Sequence, residues 1–225
     1  MSFIYKDLIK SKERVVDFGE VFTPNWVVEK MLDLLPDRGI NDVWKVTESQ
    51  NQILFLEPAC GEGAFLIEIL TRKLAKIDRD CDSNCINTKI WKSIIALSSI
   101  YGIELLEDNV HTCKEKLLQM YYKYLLEFSN DYKFNDQIVV IATYLINKNI
   151  INGDALTGLN HNGSAIVISE WQPKIINNND RCLLRKDFIY KQIMDPIGGT
   201  ETLFGEPGLI REFDPIPWLQ INKYD

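Results

Sequence analysis

Gln52-Ile53-Leu54-Phe55-Leu56-Glu57-Pro58-Ala59-Cys60-Gly61-Glu62-Gly63-Ala64-Phe65 decides the reading of this chain. Gln52 to Leu56 is a short apolar run that reads as a strand, and Pro58 followed by two glycines stops it sharply. From Ala64 to about Ile77 the residues Phe65, Leu66, Ile69, Leu70, Leu74 and Ile77 follow a helical period, with Arg72, Lys73 and Lys76 in the later turns, where cations suit the helix dipole. Strand, glycine turn and helix in succession open an α/β fold, and the glycines let a ligand approach the backbone. A dinucleotide fingerprint requires a third glycine three residues beyond Gly63. Leu66 stands there, which disfavours nicotinamide chemistry.

Upstream, Gly19-Glu20-Val21-Phe22-Thr23-Pro24 announces a helix from about Asn25 to Leu35, with Thr23 as its cap and Pro24 in its first position. Trp26, Val27, Met31, Leu34 and Leu35 form its expected apolar face. Downstream, a polar loop from Asp78 to Thr88 precedes a short helix near Ile90 to Ser98, a strand at Ile100 to Leu105 and a long helix from about Asp108 to Phe128. A further helix near Asn135 to Asn147 leads to strands at Ile150 to Leu156 and Ala165 to Trp171, separated by the turn Asn160-His161-Asn162-Gly163. Alternating strands and helices predict a doubly wound, mostly parallel sheet with right-handed crossovers and a ligand site at the carboxyl ends of its strands. Beyond Asp180 the expectation is one helix near Leu184 to Met194 and a Gly- and Pro-rich tail, so residues 1–180 form the main domain and 181–225 pack onto it.

A length of 225 residues supports one well-cored domain with a tail, and 46% apolar with 25% charged residues is a globular composition. The net charge of −7 argues against broad capture of nucleic acid, whose nonspecific binding rests on Lys and Arg neutralising phosphates. Five cysteines make no disulfide framework; with Cys81-x-x-x-Cys85 as the one close pair and His111 and His161 as the two histidines, no metal site is expected. No apolar run reaches the ~18 residues of a membrane span, and Met1-Ser2-Phe3-Ile4-Tyr5-Lys6-Asp7 lacks the pattern of a signal peptide, so a cytoplasmic location without a membrane partner is expected.

Glu57-Pro58-Ala59-Cys60-Gly61-Glu62-Gly63-Ala64-Phe65 resembles the Glu-Pro-x-x-Gly-x-Gly-x-Phe cofactor motif of adenine-N6 DNA methyltransferases, including the modification subunits of type I restriction systems. Phe22-Thr23-Pro24 is similar to the family's Phe-Thr-Pro motif, which contacts the amino-acid end of the cofactor. The resemblance implies a Rossmann-like class I methyltransferase fold, here in a short form with an N-terminal helical segment, that binds S-adenosylmethionine. It assigns Glu57, Pro58, Ala59, Gly61, Gly63 and Phe65 to the cofactor turn, and Glu104 with Leu105 to the end of the second strand, where a carboxylate accepts from the ribose hydroxyls. Gly153-Asp154-Ala155-Leu156 matches the family's next segment, in which Asp154, beside Ala155, accepts from the adenine amino group. All four segments stand in the family's order within residues 22–156.

The chain departs from the family after the fourth expected strand. There the family carries Asn- or Asp-Pro-Pro and an aromatic residue, which hold the flipped adenine by its N6 hydrogens and by stacking. Here the residues are Ser169-Glu170-Trp171-Gln172-Pro173, so Glu170 is the candidate acceptor, Trp171 the stacking platform and Pro173 the remaining proline. Asp214-Pro215-Ile216-Pro217-Trp218 has similar residue types but reads as a structural turn. Lys174, Arg181, Arg185, Lys186 and Lys191 are candidates for phosphate contacts or for a solvated helix face. Three functions stay open: an adenine-N6 DNA methyltransferase of a restriction-modification or mobile-element system; a noncatalytic cofactor-binding subunit whose partner or specificity subunit recognises DNA; and a methyltransferase with a different acceptor.

Overall fold

A computed structural model describes residues 8–39, 42–49, 52–82, 85–127, 132–177, 180–194 and 207–224. Two compact units divide the chain, Met1–Val43 and Trp44–Asp225.

In the first unit, helix α1 (Lys12–Phe18) starts where the Ser11 side chain accepts from Arg14 N–H and stops at Gly19, whose φ of 67° is left-handed. Helix α2 (Asn25–Leu32) begins where expected and ends three residues short of Leu35; its cap is Pro24 in place of Thr23, and no side chain bonds its first turn. Its buried residues are Val28 and Leu32, four apart, whereas Trp26, Met31 and Leu34 are exposed. The expected apolar face was displaced because Leu34 and Leu35 lie beyond the helix, where helical spacing no longer governs, and Trp26 is instead covered by the Lys30 ammonium at 5.2 Å.

The second unit opens with strand β1 (Phe55–Glu57), followed by helices α3 (Ala64–Asp80) and α4 (Ile86–Ser98), strand β2 (Ile100–Glu104), helices α5 (Glu107–Leu126) and α6 (Tyr132–Asn149), and strand β3 (Ile150–Asp154). The three strands are parallel in the order β1-β2-β3, and strand β4 (Leu159–Asn160) adds an antiparallel edge to β3. The protein is thus mixed α/β with a mostly parallel four-stranded sheet. Each parallel step is bridged by helices, as the sequence predicts, because parallel neighbours need a crossover of a dozen or more residues.

The next expected strand does not extend that sheet. Strand β5 (Val167–Ile176) turns directly into strand β6 (Asp180–Ile189), forming a long antiparallel hairpin that strands β7 (Leu209–Glu212) and β8 (Ile216–Pro217) complete. The connection from Ile176 to Asp180 is far too short for a parallel crossover. Residues Leu184–Ile189, expected to be helical, belong to β6; the helix that follows, α7 (Tyr190–Met194), is a single short one. On one face of β6, Arg185 and Asp187 meet in a buried bidentate ion pair at 2.7 and 2.8 Å. Residues two apart share a face only in a strand. A 3₁₀ helix at Trp218–Lys223 closes the unit.

Ile166, Ile168 and Tyr190 pack over Leu56, Ile103 and Ile151, so the hairpin segment covers one face of the parallel sheet. A single carboxamide holds three elements together: Asn149 Nδ2 donates to the Ser98 and Ile100 carbonyls, and its Oδ1 accepts from Trp171 Nε1 at 2.9 Å. Among the described residues no helix is long and apolar enough to cross a membrane.

Candidate functional site

Parallel pairing places Glu57 beside Gly102 and Glu104 beside Asn152, so β1, β2 and β3 end on the same side of the sheet. The turn after β1 is shaped by two left-handed glycines, Gly61 (φ 51°) and Gly63 (φ 87°), the second of which caps α3. Cys60 N–H donates to Ile103 O at 3.0 Å, which ties the turn to β2. Two glycines also admit close packing. A Cβ at Gly63 would lie 2.6 Å from Cys113 Sγ, and one at Gly102 would lie 2.8 Å from both Cys60 Sγ and Leu66 Cδ1. The thiols of Cys60 and Cys113 are buried beneath the turn, where bonding to Cys113 and then burial push the Cys60 thiol far up and keep it protonated.

Glu104 is the centre of this arrangement. Its carboxylate, 8% exposed, accepts from Gly61 N–H at 2.9 Å, from Leu106 N–H at 3.0 Å and from Asn109 Nδ2 at 3.4 Å. One anion therefore joins the glycine turn, the end of β2 and the first turn of α5. Leu105, immediately beyond it, is 52% exposed and offers an apolar surface beside the carboxylate. At the end of β3, Asp154 Oδ1 accepts from Leu156 N–H at 2.8 Å, a bond that holds its carboxyl below the usual carboxylate range. Ala155 packs against the small cluster around Ile103. Glu57 behaves oppositely: burial raises its carboxyl, and the bond from Ala59 N–H opposes the shift. Pro58 is exposed, and Phe65 is half-buried in the first turn of α3.

The turn residues, Glu104 with Leu105, and Asp154 with Ala155 thus gather at one end of the parallel sheet. Phe22, Thr23 and Pro24 belong to the first compact unit, where Phe22 N–H donates to Leu8 O, the Lys10 ammonium lies 5.6 Å from the Phe22 ring centroid, and Pro24 O accepts from Val27 and Val28.

Glu170, Trp171 and Pro173 are not brought to the glycine turn. They lie within β5, opposite Lys186, Arg185 and Leu183 of β6. Burial, and then the Glu170 carboxylate, raise the Tyr101 phenol. Trp171 is 2% exposed and packed with Tyr144 at 5.9 Å, Tyr224 at 6.2 Å and the Arg185 guanidinium at 5.8 Å. Its indole is a core element of the second sheet.

The segment from Asp214 to Trp218, expected to be a turn, is instead the short strand β8 at Ile216–Pro217 leading into the 3₁₀ helix, and Asp214 O accepts from Tyr224 Oη. The basic residues expected on a helix lie mostly on the hairpin, where Arg185 pairs with Asp187, Lys186 with Glu212, and Arg181 with Glu48. Lys191 donates to Leu156 O.

Asn109 and Asn152 are site residues that the sequence did not single out. Asn152 Nδ2 donates to Glu104 O and Leu105 O, fixing the end of β2 to β3. The available signals were Asn152-Gly153-Asp154 and the position of Asn109 one turn into α5. Compared with known proteins, the chain matches no family model, no curated protein and no solved structure.

Proposed function

We propose that this chain binds S-adenosylmethionine at the carboxyl end of its parallel sheet, in a Rossmann-like methyltransferase arrangement, and serves in adenine-N6 methylation of DNA. The observation that carries the reading is the Glu104 carboxylate bonded to Gly61 N–H across the ends of adjacent parallel strands. The residues present fit the cofactor: two glycines without Cβ in the turn after β1, one carboxylate at the end of β2, an exposed leucine beside it and a second carboxylate at the end of β3. When bound, S-adenosylmethionine supplies a methyl carbon made electrophilic by its sulfonium. With three of its about four acceptor sites taken by Gly61, Leu106 and Asn109, Glu104 retains one on Oε2 for a ribose hydroxyl, Asp154 accepts from an exocyclic amine, and Leu105 covers a base. The acidic end also suits a cationic ligand.

One observation favours a second reading, in which the chain binds the cofactor and a partner subunit captures the base. Trp171 is 2% exposed, and its indole N–H is held by Asn149. A base cannot stack on it without separating β5 from α6.

Calorimetric titration of S-adenosylmethionine into the wild type, Glu104→Ala and Asp154→Ala tests the binding reading. Saturable binding that weakens about tenfold or more in each variant is expected, the loss of charge-assisted bonds. Unchanged affinity in both variants would remove its basis. Transfer of labelled methyl groups to unmethylated DNA separates the two functions: incorporation at adenine N6 by the chain alone supports the enzyme, and incorporation only with a partner supports the subunit.

A further inference from the structure

Cys81-x-x-x-Cys85, the one close cysteine pair of the chain, stands where α3 gives way to α4. Cys81 caps the carboxyl end of α3, its N–H donating to Ile77 O, and Cys85 caps the amino end of α4, its carbonyl accepting from Thr88 and Lys89 N–H. Cys85 N–H also donates to Asp82 O at 3.0 Å, which brings the second cysteine back beside the residue that follows the first. Side chains of the two helices meet at the same place. Lys92 Nζ donates to Cys81 Sγ at 3.6 Å, and Lys89 Nζ lies 3.3 Å from Asp78 Oδ1. Lys89 and Lys92 follow Cys85 by four and seven residues, so all three share the face of α4 that is turned toward the end of α3. Accessibility sets this pair apart from the other thiols: Cys60, Cys113 and Cys182 are buried, whereas Cys85 is exposed and Cys81 half-buried.

Two accessible sulfurs at the adjoining ends of consecutive helices, one of them held by an ammonium, make a dithiol. We propose that Cys81 and Cys85 form a thiol modification site that exchanges with low-molecular-weight disulfides such as oxidised glutathione. The Cys85 thiolate, the more accessible, attacks one sulfur of the disulfide; that S–S bond breaks, one glutathione leaves as a thiolate that takes up a proton, and a mixed disulfide stands on Cys85. The Cys81 thiolate then attacks Cys85 Sγ and expels the second glutathione. Two protein thiols are thereby oxidised and one disulfide is reduced to two glutathione thiols, with no other oxidant. Lys92 is the positioning residue, because its hydrogen bond keeps Cys81 Sγ toward the start of α4, where the mixed disulfide forms. An exposed bridge closing so short a loop is readily reduced, which makes the modification reversible. Gly61, Glu104 and Asp154 take no part in the exchange, so it stands independently of the cofactor reading.

Equilibration of the native full chain with mixtures of oxidised and reduced glutathione, followed by alkylation of the remaining thiols and peptide mass spectrometry, tests the proposal. Cys81 and Cys85 are expected to be recovered joined to each other, the peptide lighter by two hydrogens, with Cys60, Cys113 and Cys182 alkylated only after unfolding. Cys81→Ser is expected to stop at the mixed disulfide on Cys85. In Lys92→Met the ratio of intrachain to mixed disulfide is expected to fall about threefold or more, and Lys92→Arg to restore it, since the hydrogen bond raises the effective concentration of one sulfur at the other. In urea the intrachain bridge is expected to be about tenfold less favoured than in the native chain, for the same reason. Free Cys81 and Cys85 under oxidised glutathione, a lasting mixed disulfide in the wild type, or closure equally favoured in urea overturns the proposal. A product ratio indifferent to Lys92→Met overturns the place given to Lys92.

Discussion

Gly63 and Lys73 show how single positions constrain the turn and the sheet behind it. Gly63 combines φ of 87° with a Cys113 sulfur 2.6 Å from where a Cβ would stand. Gly63→Ala is expected to destabilise the protein by about 2–4 kcal/mol in urea unfolding, the sum of left-handed strain and overpacking. Adding Cys113→Ala should restore part of that loss, and additive effects of the two changes would refute the contact. Lys73 is fully buried, its ammonium donating to Ile53 O and Ser99 Oγ, and burial lowers it from an ordinary 10.5 to about 7. A lysine with a depressed folded pKa is neutral when folded and charged when unfolded between those values, so it adds stability as pH rises from about 7. Below that the amine is protonated in both states and the gain is absent. Unfolding curves of the wild type and Lys73→Met from pH 6 to 9 should therefore show a wild-type slope more positive than the variant's; parallel curves would contradict a lowered amine. The difference isolates Lys73 from the thiols and phenols, whose raised values act in the opposite direction at alkaline pH.

Among the elements, the hairpin depends on its charged pair. Arg185 and Asp187 have side chains 6% and 9% exposed, and Arg185 also donates to Tyr144 Oη and lies 4.6 Å from the Phe213 ring centroid. Asp187→Ala strands a buried guanidinium and is expected to cost about 3–5 kcal/mol. Glu212→Ala, which removes the half-exposed partner of Lys186, should cost less than about 1 kcal/mol. Comparable losses by thermal melting would mean that the buried pair does not organise the hairpin. The same elements explain what the sequence disclosed. Strand, glycine turn and helix around Gly61 are local and could be read from spacing, whereas Glu104 and Asp154 at the ends of β2 and β3 were singled out only by the family resemblance. Leu183, Leu184 and Phe188 fit a helical period nearly as well as a buried strand. What decides between them is the ladder with β5 and the cover from β7 and β8, contacts that come from outside the segment. Asn152 escaped notice for a related reason: an asparagine before a glycine is ordinary turn chemistry, and its bonds reach residues 47 and 48 positions away.

For the whole molecule, a net charge of −7 and arginines already paired within the hairpin leave little for a phosphate backbone. The chain alone is expected not to saturate a fluorescent duplex below about 100 μM at physiological salt, the weak end of nonspecific binding. Tight binding by anisotropy would require a cationic surface beyond these residues. Because Trp44–Asp225 contains both sheets and their core, a chain starting at Trp44 should retain one cooperative unfolding transition. Loss of cooperativity would assign the first unit a role in folding. Asn149 has a further consequence for anyone following this molecule in solution. Since its carboxamide spans the start of β2 and the indole of β5, the Trp171 ring proton is a ready-made spectroscopic gauge of sheet docking. Its protection from solvent deuterium would report the moment the two halves part, before either has melted.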